Sequence, residues 1–344
     1  MNQAKRIVQL DGLRGIAVLM VFFSHAFRSQ LLWTGVDLFF VLSGFLITGV
    51  LIEQRRRKGW SAYLASFYQR RMRRILPAYI LFLGVTSILF GIGWMRRWYL
   101  FLFLMNTKLF LELDHRYSLG VLWSLAVEEQ FYLVWPFVVY LLDEGALACL
   151  SGGLVLAAPL MRWIETAYYP GHWPIYSSTP FRMDLLTVGA LIALVWRRNR
   201  TAVEHYGCYG LLLTGGAAIP LLLWSWYPWF QPAANSVLVN VWLYELSLIG
   251  YVGIVFWALS GRVVGFLKLR PLVYIGKISF SFYLIHSTIL YILHRHLRHQ
   301  LVGVAIAFAV SLLYAALTWH FLERPILQDT SRKPVVDSKD EVFS

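Results

Sequence analysis

An arginine and a histidine stand eleven residues apart in an apolar segment near the start of the chain. The segment reads LDGLRGIAVLMVFFSHAF and carries Arg14 and His25. At 100° per residue this spacing is about three helical turns, so both side chains would project from nearly one face, roughly 16 Å apart along the axis. Ionisable groups in apolar helices usually line a cavity. The alternative is an arginine that reaches the lipid headgroups and a histidine bound by a neighbouring helix.

A second histidine occupies a comparable place in a later apolar segment, LVYIGKISFSFYLIHSTIL. His286 lies about 14 residues, and His25 about 13 residues, from the start of its segment, which places both at a depth of about 20 Å. Two histidines at one depth on parallel helices can line one chamber. A structural hydrogen bond, with Tyr283 one turn away as a partner, is the alternative for His286.

Two adjacent carboxylates, Glu128 and Glu129, lie in the apolar segment WSLAVEEQFYLVWP. Neighbouring residues of a helix point in different directions, so we expect one of the two to face the cavity. A carboxylate pair near a helix N-terminus capped by Ser124 would need no functional explanation.

Three more charged residues lie in or near apolar segments. Glu245 could pair with a histidine or bond only to polar neighbours in its own helix, and Arg182 with Asp184 could form an interfacial ion pair.

Basic residues cluster in the segment FYQRRMRRILPAY, which contains Arg70, Arg71, Arg73 and Arg74. Such a cluster binds anionic lipid headgroups or, alternatively, the phosphates of a cofactor, which arginine contacts with two parallel hydrogen bonds. The run HRHLRH at residues 294–299 has a metal-like composition but no acidic ligand, so we expect a solvated loop and no metal site.

The composition excludes an ordinary soluble enzyme, a disordered chain and a nucleic-acid module. Of 344 residues, 58% are hydrophobic and only 14% are charged, against roughly a quarter in soluble domains. The net charge of +13 comes from basic residues placed between apolar runs, as expected of a membrane protein whose Lys and Arg fix its orientation. Cys149 and Cys208 have no metal or redox spacing.

The sequence predicts about ten membrane helices around a central cavity in an all-α polytopic protein. A spanning helix needs roughly 20 apolar residues. The predicted spans are 12–30, 34–54, 76–95, 127–143, 146–162, 181–197, 207–226, 237–259, 272–293 and 301–322.

Charge supports this count with both termini in the cytoplasm. The predicted inner segments then hold 20 Lys and Arg and the outer segments hold 9, as the positive-inside rule requires. A crossing by the short apolar run 97–110 would reverse this bias, so we expect that run to be re-entrant or interfacial. We predict one membrane domain over 1–327 and a polar, flexible tail over 328–344.

Several of these segments together resemble the membrane-bound acyltransferase-3 family. The resemblance rests on Arg14 with ten residues before His25 and on the runs GVDLFFVLSGFLIT, RRMRR, WSLAVEEQFYLVWP and ISFSFYLIH, in that order between about residues 8 and 325. Members move acyl groups, usually acetyl, from acyl-CoA to hydroxyls on sugars, lipopolysaccharide, peptidoglycan or macrolides. The family pattern marks Arg14, His25, Arg70, Arg71, Arg74, Glu128, Glu129 and His286.

The resemblance implies a path for acyl groups through a bacterial inner membrane. Acyl-CoA would bind from the cytoplasm through Arg14 and the Arg70–Arg74 cluster, with no metal. His25 would act as general base towards a carbohydrate or glycoside hydroxyl from the outer side, or carry the acyl group itself. Glu128 or Glu129 could orient its imidazole. Donors to the developing oxyanion could be His286, Tyr283 or Ser43, which we do not rank.

Two other classes fit the composition. A transporter or flippase for lipid-linked sugars shares the many spans and the midplane ionisable residues, but internal pseudo-symmetry is not evident. A signalling or scaffold protein has no use for midplane histidines. Membrane lipid is a partner in every case, and nucleic acid in none. Trp173, Trp226 and Trp229, in predicted outer loops, could contact a sugar.

Overall fold

The computed structural model describes residues 7–29, 31–91, 97–107, 119–225, 234–296 and 299–329. Within these residues the chain forms helices and turns and no strand. The α-helices are α1 (Val8–Phe27), α2 (Gly35–Arg55), α3 (Trp60–Phe90), α4 (Leu122–Leu141), α5 (Glu144–Glu165), α6 (Trp173–Ser177), α7 (Met183–Arg198), α8 (Arg200–Tyr206), α9 (Gly210–Ser225), α10 (Tyr244–Ser260), α11 (Arg270–His296), α12 (Gln300–Thr318) and α13 (Arg324–Asp329).

The polytopic all-α architecture predicted from the sequence is confirmed. In the described part of the chain, nine helical segments are long and apolar enough to cross a membrane. The remaining predicted span is α4, which has 20 residues and carries Glu128, Glu129 and Gln130 among its apolar side chains. The predicted boundary at residue 327 falls inside α13, and residues 330–344 of the predicted tail lie outside the described residues.

Helix α3 begins at Trp60, well before the predicted start at residue 76, because the arginine-rich segment continues the helix. After α3 the chain returns into the bundle. The Tyr79 hydroxyl donates to the Leu100 carbonyl at 3.0 Å, although Tyr79 lies eleven residues, or about 16 Å, before the end of α3. Residues 98–100 form a single 3-10 turn followed by further turns. Residues 97–107 therefore form no spanning helix and pack against α3, and 108–110 lie outside the described residues.

Glycines bring two helix pairs into close contact. A Cβ on Gly276 of α11 would lie 1.8 Å from the Asp11 carbonyl oxygen of α1. A Cβ on Gly12 of α1 would lie 2.0 Å from the carbonyl oxygen of Leu267, in the 3-10 turn before α11. In the same way α2 and α7 meet at Gly44 and Gly189. Small residues allow this approach, which favours helix association in lipid. The α1–α11 contact aligns the two helices that carry the predicted histidines.

Buried ion pairs join α2, α5, α7 and α10. The fully buried Arg162 guanidinium donates to Asp184 at 2.7 Å and to Glu245 at 2.5 Å. Arg182, also fully buried, pairs with Asp37. The expectations for these residues were wrong: Glu245 pairs neither with a histidine nor only within its own helix. Arg182 and Asp184 form no interfacial pair with each other, since each has its partner on another helix.

Candidate functional site

The two predicted histidines meet at the predicted outer end of α1. Nδ1 of His25, in the last turn of that helix, lies 2.8 Å from Nε2 of His286 on α11. His286 is fully buried, whereas His25 is exposed. The two predicted histidines are therefore direct neighbours, and His286 is the buried member of the pair.

The hydrogen bonds fix one proton arrangement for the neutral pair. Nδ1 of His286 lies 2.6 Å from the Tyr283 carbonyl oxygen, which can only accept, so Nδ1 of His286 carries a proton. Its Nε2 is then an acceptor, and Nδ1 of His25 must donate to it. The remaining nitrogen of His25, Nε2, therefore has a lone pair that can accept a proton. The expected bond between His286 and Tyr283 exists, but it uses the backbone carbonyl.

Aromatic rings hold His286 in place. The Phe282 ring stacks on the imidazole with an interplanar angle of 7° and a centroid distance of 6.3 Å. Phe22 of α1 lies at the same centroid distance, and the Tyr283 ring lies at 5.5 Å. With its backbone bond, this packing restricts the ring to one orientation.

Arg14 and Tyr283 border a cavity of about 60 Å³, called here the arginine cavity. Its polar lining also includes Glu128, Ser124 and Ser279. The apolar walls are Val36, Phe39, Phe40, Leu125 and Phe280. Neither histidine belongs to the lining, but Tyr283 does, and its carbonyl oxygen bonds to His286, so Tyr283 connects the cavity to the histidine pair.

The Arg14 guanidinium is half-buried among an aromatic ring and several charges. It lies 5.8 Å from the centroid of the Phe39 ring and interacts electrostatically with Glu128, Asp11 and Arg71. Glu128 is fixed by the Ser43 hydroxyl, which donates to its carboxylate at 2.7 Å. The Glu128 carboxylate thus offsets the positive charge of Arg14, although the two groups are not within salt-bridge distance of each other.

Glu129 lines a different cavity, of about 270 Å³, that we call the side cavity. This cavity also contains Arg71, whose guanidinium stacks on the Tyr132 ring at 3.8 Å from the centroid. The prediction that one of the two glutamates faces the cavity holds for Glu128. Each glutamate interacts electrostatically with the arginine of its own cavity, and the hydrogen bond of His25 goes to a histidine rather than to a carboxylate.

The predicted arginines of α3 differ in exposure, since Arg70 is exposed and Arg71 and Arg74 are half-buried. Arg74 and Arg71 interact electrostatically with Arg14. Arg70 is exposed and lies near Lys58, in the loop before α3. Arg71 and Arg74 thus lie within electrostatic range of Arg14, and Arg70 is exposed one turn before Arg74.

Glu323 was missed by the sequence interpretation. It is 3% exposed, accepts a hydrogen bond from Ser281 at 2.6 Å and interacts electrostatically with Arg74. The signal available in the sequence was a carboxylate at the end of a long apolar run. Through these two contacts Glu323, which follows α12, connects the end of that segment to α11 and α3.

The polar residues that hold residues 97–107 in place were also missed. Gln130 donates to the Phe103 carbonyl at 2.9 Å and to Asn106 at 2.8 Å, and the Thr179 hydroxyl donates to Gln130. Non-helical backbone at membrane depth persists only where it is buried in protein or lines a cavity. Here Phe103 lines the side cavity.

Three hydroxyl groups near the arginine cavity already take part in hydrogen bonds within the protein. Ser124 does not cap α4, since the N-cap is Val121 without a side-chain bond; Ser124 instead lies 2.6 Å from the Tyr283 hydroxyl. Ser43, one of the three unranked oxyanion donors, already donates to Glu128. The Tyr283 hydroxyl donates to the Val121 carbonyl at 2.9 Å.

Two regions of predicted outer loop give little information. His294 bonds to the Leu290 carbonyl of its own helix at 2.9 Å, and Trp173 is 60% exposed. Trp226 and Trp229 lie outside the described residues. Across those that are described, no group of three or more His, Cys, Asp or Glu is arranged to hold a metal.

Comparisons with known proteins identify the family. Peptidoglycan O-acetyltransferase OatA of Listeria monocytogenes is 29% identical over 366 residues, which cover 94% of this chain and 56% of that protein. YrhL of Bacillus subtilis, provisionally named a peptidoglycan O-acetyltransferase, is 29% identical, with 92% and 54% covered. The chain spans little more than half the length of these relatives. No solved structure matches it. The model of a family described as an acyltransferase domain matches residues 7–320, nearly the whole chain, so this protein belongs to the acyltransferase-3 family.

Proposed function

We propose that the chain is an integral-membrane O-acyltransferase of the bacterial inner membrane. It would move an acyl group, most simply acetyl, from cytoplasmic acyl-CoA to a hydroxyl of a carbohydrate-containing acceptor. The family match and the O-acetyltransferase names of the relatives support the transfer class. Those names point to peptidoglycan for the relatives, and we extend to this chain only the broader class of carbohydrate acceptors.

The hydrogen bond between His25 and His286 is the observation on which the proposal depends. It supports a proton arrangement in which His25 donates through Nδ1 and keeps Nε2 for an incoming hydroxyl. His25 is also the exposed member of the pair, so an acceptor from the outer side can reach it. A neutral imidazole with a free lone pair is the group that a general base requires near neutral pH.

The donor would enter from the opposite, predicted cytoplasmic end. Arginine forks suit phosphates, and Arg71 and Arg74 would bind those of CoA, whereas Arg14, which borders the arginine cavity, would lie towards the thioester end of the donor. Arg70, although marked by the family pattern, is exposed one turn before Arg74 and would at most meet the outermost phosphate or a lipid headgroup. Glu128 and Glu129 would keep the arginines from repelling one another, rather than orient the imidazole.

The arginine cavity favours a short acyl group. At roughly 10–15 Å³ for each water-sized group, its volume holds about four to six such groups. The methyl, carbonyl carbon, oxygen and sulfur of an acetyl thioester are four. A long acyl chain would not fit between the aromatic walls formed by Phe39, Phe40 and Phe280.

The transfer step balances without any redox partner. The acceptor oxygen adds to the carbonyl carbon while its proton moves to Nε2 of His25. The tetrahedral intermediate then collapses, the carbon–sulfur bond breaks, and the thiolate of CoA leaves and takes a proton. The products are the O-acyl acceptor and free CoA. A variant in which His25 carries the acyl group first gives the same products in two steps.

The test uses the full-length protein reconstituted in phospholipid nanodiscs with radiolabelled acetyl-CoA. N-acetylglucosamine oligosaccharides and muropeptides serve as acceptors, and CoA release and label on the acceptor are measured. His25→Ala should reduce transfer by at least about 10²-fold. His294→Ala, an exposed histidine further along α11, is the matched control and should leave transfer unchanged.

Two outcomes would overturn the proposal. One is a folded His25→Ala variant that transfers acetyl at the wild-type rate. The other is a wild-type protein that releases no CoA with any hydroxyl acceptor but moves a lipid-linked sugar across proteoliposomes, which would support the flippase alternative.

A further inference from the structure

Ser279 of α11 has a buried hydroxyl with nothing to bond to. The side chain is 1% exposed, and its Oγ has no hydrogen-bond partner among the described residues. Serine and threonine in helices usually donate to a carbonyl one turn earlier, as Ser177 and Thr86 do in this fold. An unsatisfied buried hydroxyl destabilises a fold and calls for an explanation, such as a ligand that binds it.

The position of Ser279 connects it to the proposed active site. It borders the arginine cavity together with Arg14. Along α11 it stands four residues before Tyr283 and seven before His286, a spacing that places all three on one helix face. One face of α11 therefore carries in succession the Ser279 hydroxyl, Tyr283 in the cavity lining, and the buried His286.

The other hydroxyls around the cavity are already engaged. The Tyr283 hydroxyl donates to the Val121 carbonyl at 2.9 Å. Ser124 lies within hydrogen-bond distance of both that carbonyl and the Tyr283 hydroxyl. Ser279 is thus the hydroxyl in the cavity lining whose proton can be given to a ligand without breaking a bond in the fold.

We propose that Ser279 is a catalytic residue that donates a hydrogen bond to the carbonyl oxygen of the acyl thioester. This inference rests on the proposed function. When the acceptor oxygen adds to the carbonyl carbon, negative charge collects on the carbonyl oxygen and the Ser279 hydroxyl stabilises it. The charge returns to the carbon–oxygen bond when the thiolate leaves, and Ser279 neither gains nor loses a proton.

A donor with no partner in the resting protein is preorganised for this work, because it needs no reorganisation when charge develops. Arg14, on the same cavity, adds positive charge. The desolvated hydroxyl destabilises the empty fold, and the thioester carbonyl removes that penalty when it binds. Function and unfolding stability should therefore respond in opposite directions when this hydroxyl is removed.

The experiment compares Ser279→Ala with Ser311→Ala in nanodiscs. Ser311, on α12, is the matched control because its hydroxyl is also buried and without a partner among the described residues, but it does not line the arginine cavity. We expect Ser279→Ala to lower kcat for acetyl transfer by about 10²-fold while its thermal unfolding temperature stays equal or rises. Ser311→Ala should keep the wild-type kcat.

Ligand binding separates this inference from the proposed function. Two acetyl-CoA analogues are titrated into each variant: a ketone with a methylene in place of the sulfur, and a thioether without the carbonyl oxygen. Ser279→Ala should weaken the ketone at least about tenfold and leave the thioether unchanged. Wild-type kcat together with unchanged ketone affinity in Ser279→Ala would overturn the inference. An inactive wild-type protein would overturn the proposed function, and the binding comparison would still decide on Ser279.

Discussion

His25 and His286 lie 261 positions apart in the chain, yet Nδ1 of the first is 2.8 Å from Nε2 of the second. The contact forms because glycines in α1 and α11 let the two backbones approach closely. The Tyr283 carbonyl fixes the proton on the inner ring, and that ring fixes the proton on the outer one. A buried histidine that never meets the acceptor can in this way determine which nitrogen of an exposed histidine is basic.

This relationship predicts different effects for two substitutions of His286. Leucine removes the acceptor for the His25 proton, so His25 can adopt the unproductive tautomer, and kcat should fall at least about tenfold. Glutamine offers a side-chain oxygen to the same proton and should retain more of the activity than leucine. Steady-state kcat and KM in nanodiscs check this. A leucine variant with the wild-type kcat would contradict the role of His286.

The arginines of α3 should differ from one another. Alanine at Arg71 or Arg74 should raise the KM for acetyl-CoA by about 10- to 100-fold, since a hydrogen bond to a charged group contributes about 1.5–3 kcal/mol. Alanine at Arg70, which is exposed and faces Lys58, should change KM by less than about twofold.

The measurement is acetyl-CoA saturation at fixed acceptor, with direct CoA binding as a second readout. If Arg70→Ala raised KM as much as Arg74→Ala, the phosphates would reach the exposed turn of α3 that carries Arg70. The greater exposure of Arg70 compared with Arg71 and Arg74 would then have no effect on donor binding.

Much of this architecture follows from the sequence alone. Apolar runs of sufficient length define the helices, and helical rise sets the depth of any residue counted from a helix start. Those two rules were enough to place His25 and His286 at one level. The positive-inside rule kept 97–110 out of the count of spans, because a crossing there would have reversed the charge bias.

Partners across the bundle could not be predicted in the same way. Arg162 meets Asp184 and Glu245 because α5, α7 and α10 are neighbours, and nothing in the local sequence states which helices adjoin. The start of α3 was missed because its first turns are amphipathic rather than apolar. An unpartnered hydroxyl such as that of Ser279 is a property of three-dimensional packing and has no sequence signal.

The size of the arginine cavity should determine acyl length. Wild-type protein should use acetyl-CoA far better than hexanoyl-CoA, because the cavity has room for about four to six water-sized groups. Phe280→Ala removes a wall and should raise the relative kcat/KM for butyryl-CoA at least about tenfold. Phe321→Ala, which removes a phenyl ring that is 78% exposed, is the control and should leave the preference unchanged. Equal use of acetyl and hexanoyl groups by the wild type would show that the acyl group binds elsewhere.

The buried pair of Arg182 and Asp37 should matter for stability rather than for chemistry. Arg182→Met leaves the fully buried Asp37 carboxylate without its partner, and should cost about 3–5 kcal/mol of unfolding free energy. Adding Asp37→Leu removes the stranded charge and should recover part of that loss. Arg200→Met, which breaks the exposed pair with Glu204 on α8, should change stability by less than about 1 kcal/mol. Thermal unfolding in detergent measures all four variants, including Asp37→Leu alone. A single Arg182→Met variant as stable as Arg200→Met would mean that water or lipid headgroups reach Asp37, and the pair would then have no part in holding α2 against α7.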